Sequence, residues 1–177
     1  MRKTLDGLYD AAGYLAAFCV FAIFAVMIGS TVLRALGQRT GGSDDIVAWL
    51  CAAAAFLAMA HTFRHGDFVR VTLVLERLGP RARQTMETVC LAILAASIAF
   101  LALAAIRFAY ESYAFNDMAN GLIAIPLWIP QTSFVVGATL LLLAVIDELV
   151  AVLRGRTPSY VLAVQERHAR GDFSEDL

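Results

Sequence analysis

His61, His65 and Asp67 form an H-x3-H-x-D string, the group in this 177-residue chain that comes nearest to chemistry. Two histidines four residues apart on a helix share one face, a spacing that holds zinc when further ligands complete the tetrahedron. No third and fourth ligand stands nearby in sequence, and Arg64 lies between the two imidazoles, so no metal is expected. Haem is not expected either, because a four-helix cytochrome carries axial histidines on facing helices. The other candidate spans contain none. Cys19, Cys51 and Cys90 sit in different apolar stretches without C-x-x-C spacing and read as small buried hydrophobes. No phosphate-binding loop, Ser-His-Asp set or glycine-rich dinucleotide turn occurs. The residues predict no catalytic group and no cofactor, and nothing in them suggests nucleic-acid binding.

The elements that would position these side chains are apolar. Four stretches lack Asp, Glu, Lys and Arg altogether: Ala11 to Leu33, Ile46 to Phe63, Thr88 to Ile106 and Met118 to Ile146, of 23, 18, 19 and 29 residues. About 20 apolar residues in a helix cross a hydrocarbon core of ~30 Å. With 60% hydrophobic residues, 16% charged residues and a mean hydropathy of +0.71, the chain reads as an all-α integral membrane protein. The spans are predicted at about 11–33, 46–63, 88–106 and 127–148, within a transmembrane unit over 1–157 and a C-terminal tail over 158–177. The first run is longer than a signal-peptide core of roughly 7 to 15 residues, which predicts an uncleaved anchor.

Orientation follows the basic residues, because Lys and Arg in short loops are retained on the cytoplasmic side. Of the 14, only Arg34, Arg39 and Arg107 fall in the two loops on one side, and the others fall in the tails and the segment between spans two and three. Both termini are therefore predicted to be cytoplasmic. Trp49 and Trp128 open the second and fourth spans on the opposite side, where indole rings favour the headgroup layer.

Ser43-Asp44-Asp45 suits a helix N-terminus, with a hydroxyl cap and two carboxylates in the positive first turn. Small residues such as Ala54, Ala58, Ala92, Ala95 and Ala99 predict close helix packing for spans two and three. Between those spans Phe68, Val71, Val74, Leu75 and Leu78 fall on one side of a helical wheel and Arg70 and Arg77 on the other. This pattern predicts a fifth, amphipathic helix over about 67–79, lying at the membrane interface and ended by Gly79-Pro80. Pro126 and Pro130 place the start of the last helix near themselves and leave Met118 to Ile125 as surface chain. Every Asp, Glu, Lys and Arg falls at a span edge or in a loop, so no proton relay or charged binding site is expected at the midplane.

Three segments carry a family resemblance: Leu33-Arg34 closing the first span; Arg64-His65-Gly66-Asp67-Phe68-Val69-Arg70-Val71 after the second; and Ile125-Pro126-Leu127-Trp128-Ile129-Pro130 entering the fourth. Over roughly residues 9–157 the chain resembles the small, DctQ-like membrane subunit of tripartite ATP-independent periplasmic (TRAP) transporters. The family's usual motif after the second span, Arg-x-Gly-x-His-Ile-Arg-Val-Asp, is matched at Arg64, Gly66, Arg70 and Val71. Phe68 replaces the usual His and Thr72 the usual Asp. The resemblance implies a bacterial inner-membrane location, a large partner subunit that binds substrate and sodium ions, and a periplasmic protein that delivers an organic acid. It implies a noncatalytic, bracing role for this chain, with Arg34, Trp49, Arg64, Gly66, Asp67, Arg70 and Trp128 at a subunit or lipid interface. Two other classes compete: a redox subunit holding haem or quinone, and a self-sufficient homodimeric exporter.

Overall fold

A computed structural model describes residues 2–38, 40–65, 79–155, 159 and 161. They form four helices: α1 (Arg2–Ala35), α2 (Ser43–His65), α3 (Pro80–Ala114) and α4 (Trp128–Leu153). Each is long and apolar enough to cross a membrane. The shortest, at 23 residues, already rises roughly 35 Å.

The fold is an all-α, four-helix membrane bundle, and this corrects the expected architecture of four spans plus a separate interfacial helix. All four described helices are candidate spans, and the described residues contain no fifth. Gly79 and Pro80, read in sequence as the end of that extra helix, instead begin α3. Gly79 is its N-cap with extended backbone (φ −62°, ψ 158°), and the proline lies in the first turn. A proline there loses no hydrogen bond, because first-turn N–H groups have no intrahelical acceptor. The remainder of the expected helix, 67–78, lies outside the described residues. As a result α3 starts eight residues before the apolar run at 88 and continues eight beyond 106.

Three of the four helices stop in one way. After α1, Gly37 (φ 79°) donates its N–H to the Arg34 carbonyl at 3.0 Å, and Gln38 donates to Leu33 at 3.0 Å. After α3, Asn116 (φ 51°) and Asp117 repeat the pattern onto Tyr113 and Ser112. Gly155 (φ 69°) closes α4 onto Val152. A left-handed residue just past a helix lets the next amides satisfy its last carbonyls, and Gly and Asn tolerate that conformation best. At the start of α2 the expected hydroxyl cap does not form. Ser43 Oγ is buried without a hydrogen-bond partner, while Asp44 and Asp45 do lie in the first turn.

The principal contacts run α1 to α2, α2 to α4, and α4 to α3. Consequently α4 is central. Half of its most apolar stretch is buried inside the bundle, against 11% for α1. Its buried residues Gly137, Ala138, Leu141, Ala144, Val145, Glu148, Ala151 and Val152 repeat every three or four positions, the period of a helix seam. Gly137 brings α4 onto α2: a Cβ there would stand 2.3 Å from the Phe56 carbonyl oxygen. Phe56 and Phe134 stack beside it with ring centroids 4.9 Å apart. On α2 the small-residue expectation holds in part, with Ala54 and Ala60 buried beside Leu57 and Phe63. On α3, Ala102 is buried but Ala92 and Ala96 are exposed.

Candidate functional site

Glu148 continues the buried seam of α4, where an apolar residue would ordinarily stand, and its side chain has no exposure at all. A carboxylate so placed must be met by donors, because an unpaired buried charge costs several kcal/mol. Arg64, near the end of α2 and 10% exposed, meets it: Nη1 lies 3.4 Å from Glu148 Oε1 and 3.0 Å from Asp147 Oδ2. The other guanidinium nitrogen, Nη2, donates to Asp6 Oδ1 in the second turn of α1. Beyond the end of α4 the chain returns, so that the Ser159 N–H donates to Glu148 Oε2 at 2.9 Å and the Ser159 hydroxyl donates to Oε1.

One guanidinium thus joins three helices. Arginine suits the task because its planar fork presents five donors and stays charged. The Tyr9 ring, fully buried, lies under it with Cζ 5.4 Å from the centroid, a cation–π distance. One turn back on α2, His61 Nδ1 lies 3.4 Å from Asp10 Oδ1, and the His61 and His65 rings stack at 4.1 Å. The arrangement is a lock rather than a relay. Arg64 and Glu148 are mutually satisfied, and the apolar runs leading away from them along the spans hold no charged residue.

The other end of the bundle holds the tryptophans. Trp128 opens α4 and meets Tyr113 of α3 edge to face at 5.9 Å and 85°. Trp49 lies half-buried in the second turn of α2. Arg34 closes the loop after α1, donating from Nε to Thr40 Oγ1 at 3.0 Å. The α3–α4 connection folds back on itself, with Ala119 N–H to Ile125 O and Leu127 N–H to Asp117 O, both 2.9 Å. Its tip covers the α1–α2 connection: Leu122 packs on Gly41, Ile123 on Gly42, and Gly121 abuts the Asp45 carboxylate.

Of the residues singled out in the sequence, Arg64 enters the ion cluster, and Arg34, Trp49 and Trp128 lie towards the opposite end. Gly66, Asp67 and Arg70 lie outside the described residues. Sequence reasoning did not reach Asp6, Tyr9 and Asp10, and it placed Asp147 and Glu148 only at a span edge. A signal existed for Glu148, since counting three and four from Leu141 through Ala144 and Val145 lands on it. None existed for Asp6, whose distance from Arg64 depends on how α1 packs.

No curated protein matches the chain. The family model described as "Tripartite ATP-independent periplasmic transporters, DctQ component" matches residues 23–155, three quarters of the sequence, including α2, α3, α4 and α1 from residue 23 onward. The chain belongs to the DctQ component family of tripartite ATP-independent periplasmic transporters.

Proposed function

We propose that this chain is a stationary brace for a larger, sodium-coupled transport subunit that takes up an organic acid delivered by a periplasmic binding protein. Family membership makes it a noncatalytic, multi-pass membrane subunit of a transporter. The observation that carries the bracing role is the Arg64 cluster. A subunit that resists movement needs its helices fixed relative to one another, and one buried guanidinium ties α1, α2 and α4 at a single level. The apolar runs hold no Asp, Glu, Lys or Arg that would mark an ion path through the midplane.

In this reading the Arg64 end faces the bacterial cytoplasm, in keeping with the distribution of basic residues, and residues 158–177 form a cytoplasmic tail. Trp49, Trp128 and Arg34 then stand at headgroup level on the periplasmic side. The paired loops there, 36–42 and 115–127, face the binding protein. The α1 residues Phe18, Phe21, Phe24, Ile28 and Val32, all exposed on the chain by itself, offer an apolar face to lipid or to the large subunit.

Co-expression with the large membrane subunit tests the proposal. The chain is expected to co-purify with it, and Arg64→Gln is expected to reduce recovery of the complex and substrate uptake together. Solute flux through liposomes holding this chain alone would overturn the reading. So would full uptake by cells that lack it.

A further inference from the structure

We propose that Asp10, His61 and His65 form a binding site for one divalent first-row transition ion of the zinc type, bridging α1 and α2 beside the Arg64 lock. One ligand atom from each of the three side chains lies within 4.8 Å of the others. The His61 Nδ1 to Asp10 Oδ1 separation is 3.4 Å. Ligands about 2.05 Å from a tetrahedral zinc ion are roughly 3.3 Å apart, so this pair already stands at one edge of a coordination tetrahedron. His61 Nδ1 is shielded from solvent and makes no hydrogen bond, facing the Asp10 carboxylate at ion-pair distance only. His65 Nδ1 lies 2.9 Å from the His61 carbonyl oxygen. A carbonyl only accepts, so Nδ1 carries the proton and Nε2 is the nitrogen that would ligate a metal. His65 is exposed on the last turn of α2, on the same helix face as His61, with the two rings 4.1 Å apart.

Two further features favour a cation. His61 leans on the α1 backbone at Gly13: a Cβ there would stand 2.9 Å from both Cγ and Nδ1. That close approach is what aims the imidazole at Asp10, three residues earlier on the same helix. The surroundings are also negative. Asp6, Asp147 and Glu148 place three carboxylates on the guanidinium of Arg64, and Asp10 adds a fourth one turn away beside His61. With two imidazoles and one carboxylate the site is a borderline donor set, suited to zinc rather than to calcium or magnesium. Three protein ligands leave a fourth position for water.

Titration of the tag-free, full-length chain with zinc, against a chromophoric chelator in detergent, tests the site. One zinc per chain is expected, with a higher thermal midpoint in its presence. His61→Ala combined with His65→Ala is expected to abolish binding. Asp10→Asn, a half-exposed and isosteric change, is expected to weaken it by at least about tenfold. Gly13→Ala, which removes no ligand, is expected to weaken it by displacing His61. Absence of zinc binding by the folded chain would overturn the proposal. So would binding undiminished in the histidine double variant, or lost only when Cys19, Cys51 and Cys90 are replaced. None of these results bears on the transporter assignment.

Discussion

The two ends of this bundle are held by different physics. At the Arg64 end, side chains up to 84 positions away in sequence reach one guanidinium through charge-assisted hydrogen bonds. At the tryptophan end, connections are short, and backbone glycines let apolar side chains approach, as at Gly42 with Ile123. The first kind of attachment is directional and fails when one partner is removed, because the remaining charges stay buried. The second is distributed over many weak attractions, and no single one of them dominates. The division suits the proposed bracing role: one end fixes the relative positions of three helices, and the other presents fitted loops.

Substitutions can break this comparison, and the largest effect is expected at Arg64. Arg64→Gln leaves Glu148 buried without its counter-charge and should lower the unfolding free energy of the chain in detergent by about 3–5 kcal/mol. Denaturant or thermal unfolding followed by circular dichroism checks it. Adding Glu148→Gln should recover at least about 1 kcal/mol of that loss, since the two residues share one interaction. Strict additivity would mean that Arg64 acts through Asp6 and Asp147 alone.

Next in size is Gly137→Val, which tests the middle of the bundle. The new side chain meets the Phe56 backbone, which cannot move aside as a side chain would, so α2 and α4 must separate at about 1–3 kcal/mol. Gly42→Ala probes the loop end. It combines a positive φ with a collision against Ile123 and should cost about 1–2 kcal/mol, read by the same unfolding assay. Gly121→Ala should be the smallest, within about 0.5 kcal/mol, because the obstructing atom is an Asp45 carboxylate oxygen that rotates away. If Gly121→Ala rivals Arg64→Gln, the contrast between the ends disappears.

Much of the fold was legible because a bilayer imposes a simple rule. Backbone groups in hydrocarbon must be satisfied within the segment, so each long uncharged run has to be a helix, and the number of runs sets the number of spans. The extents of the helices were less legible. Residues 80–87 and 107–114 are polar enough to read as loop, yet α3 runs through both, since helical hydrogen bonds propagate past the apolar core where Pro80 can start and Asn116 can stop them. The reversal in meaning of Gly79-Pro80 has the same origin: the pair is compatible with the end of one helix and the start of another, and only the chain that follows decides.

The candidate site divides along similar lines. Arg64 drew attention from its motif, and its level in the membrane was set by the apolar run before it. By itself, then, the sequence determined four spanning helices, their alternating direction and the placement of charge at their ends, because these depend on local composition against a slab of fixed thickness. Tertiary structure decided which charges meet. The pairing of Arg64 with Asp6 and Glu148, and of His61 with Asp10, depends on the rotation of each helix about its axis and on approaches at Gly13 and Gly137. Those rotations are set by how side chains of neighbouring helices interlock, which no single stretch of sequence contains.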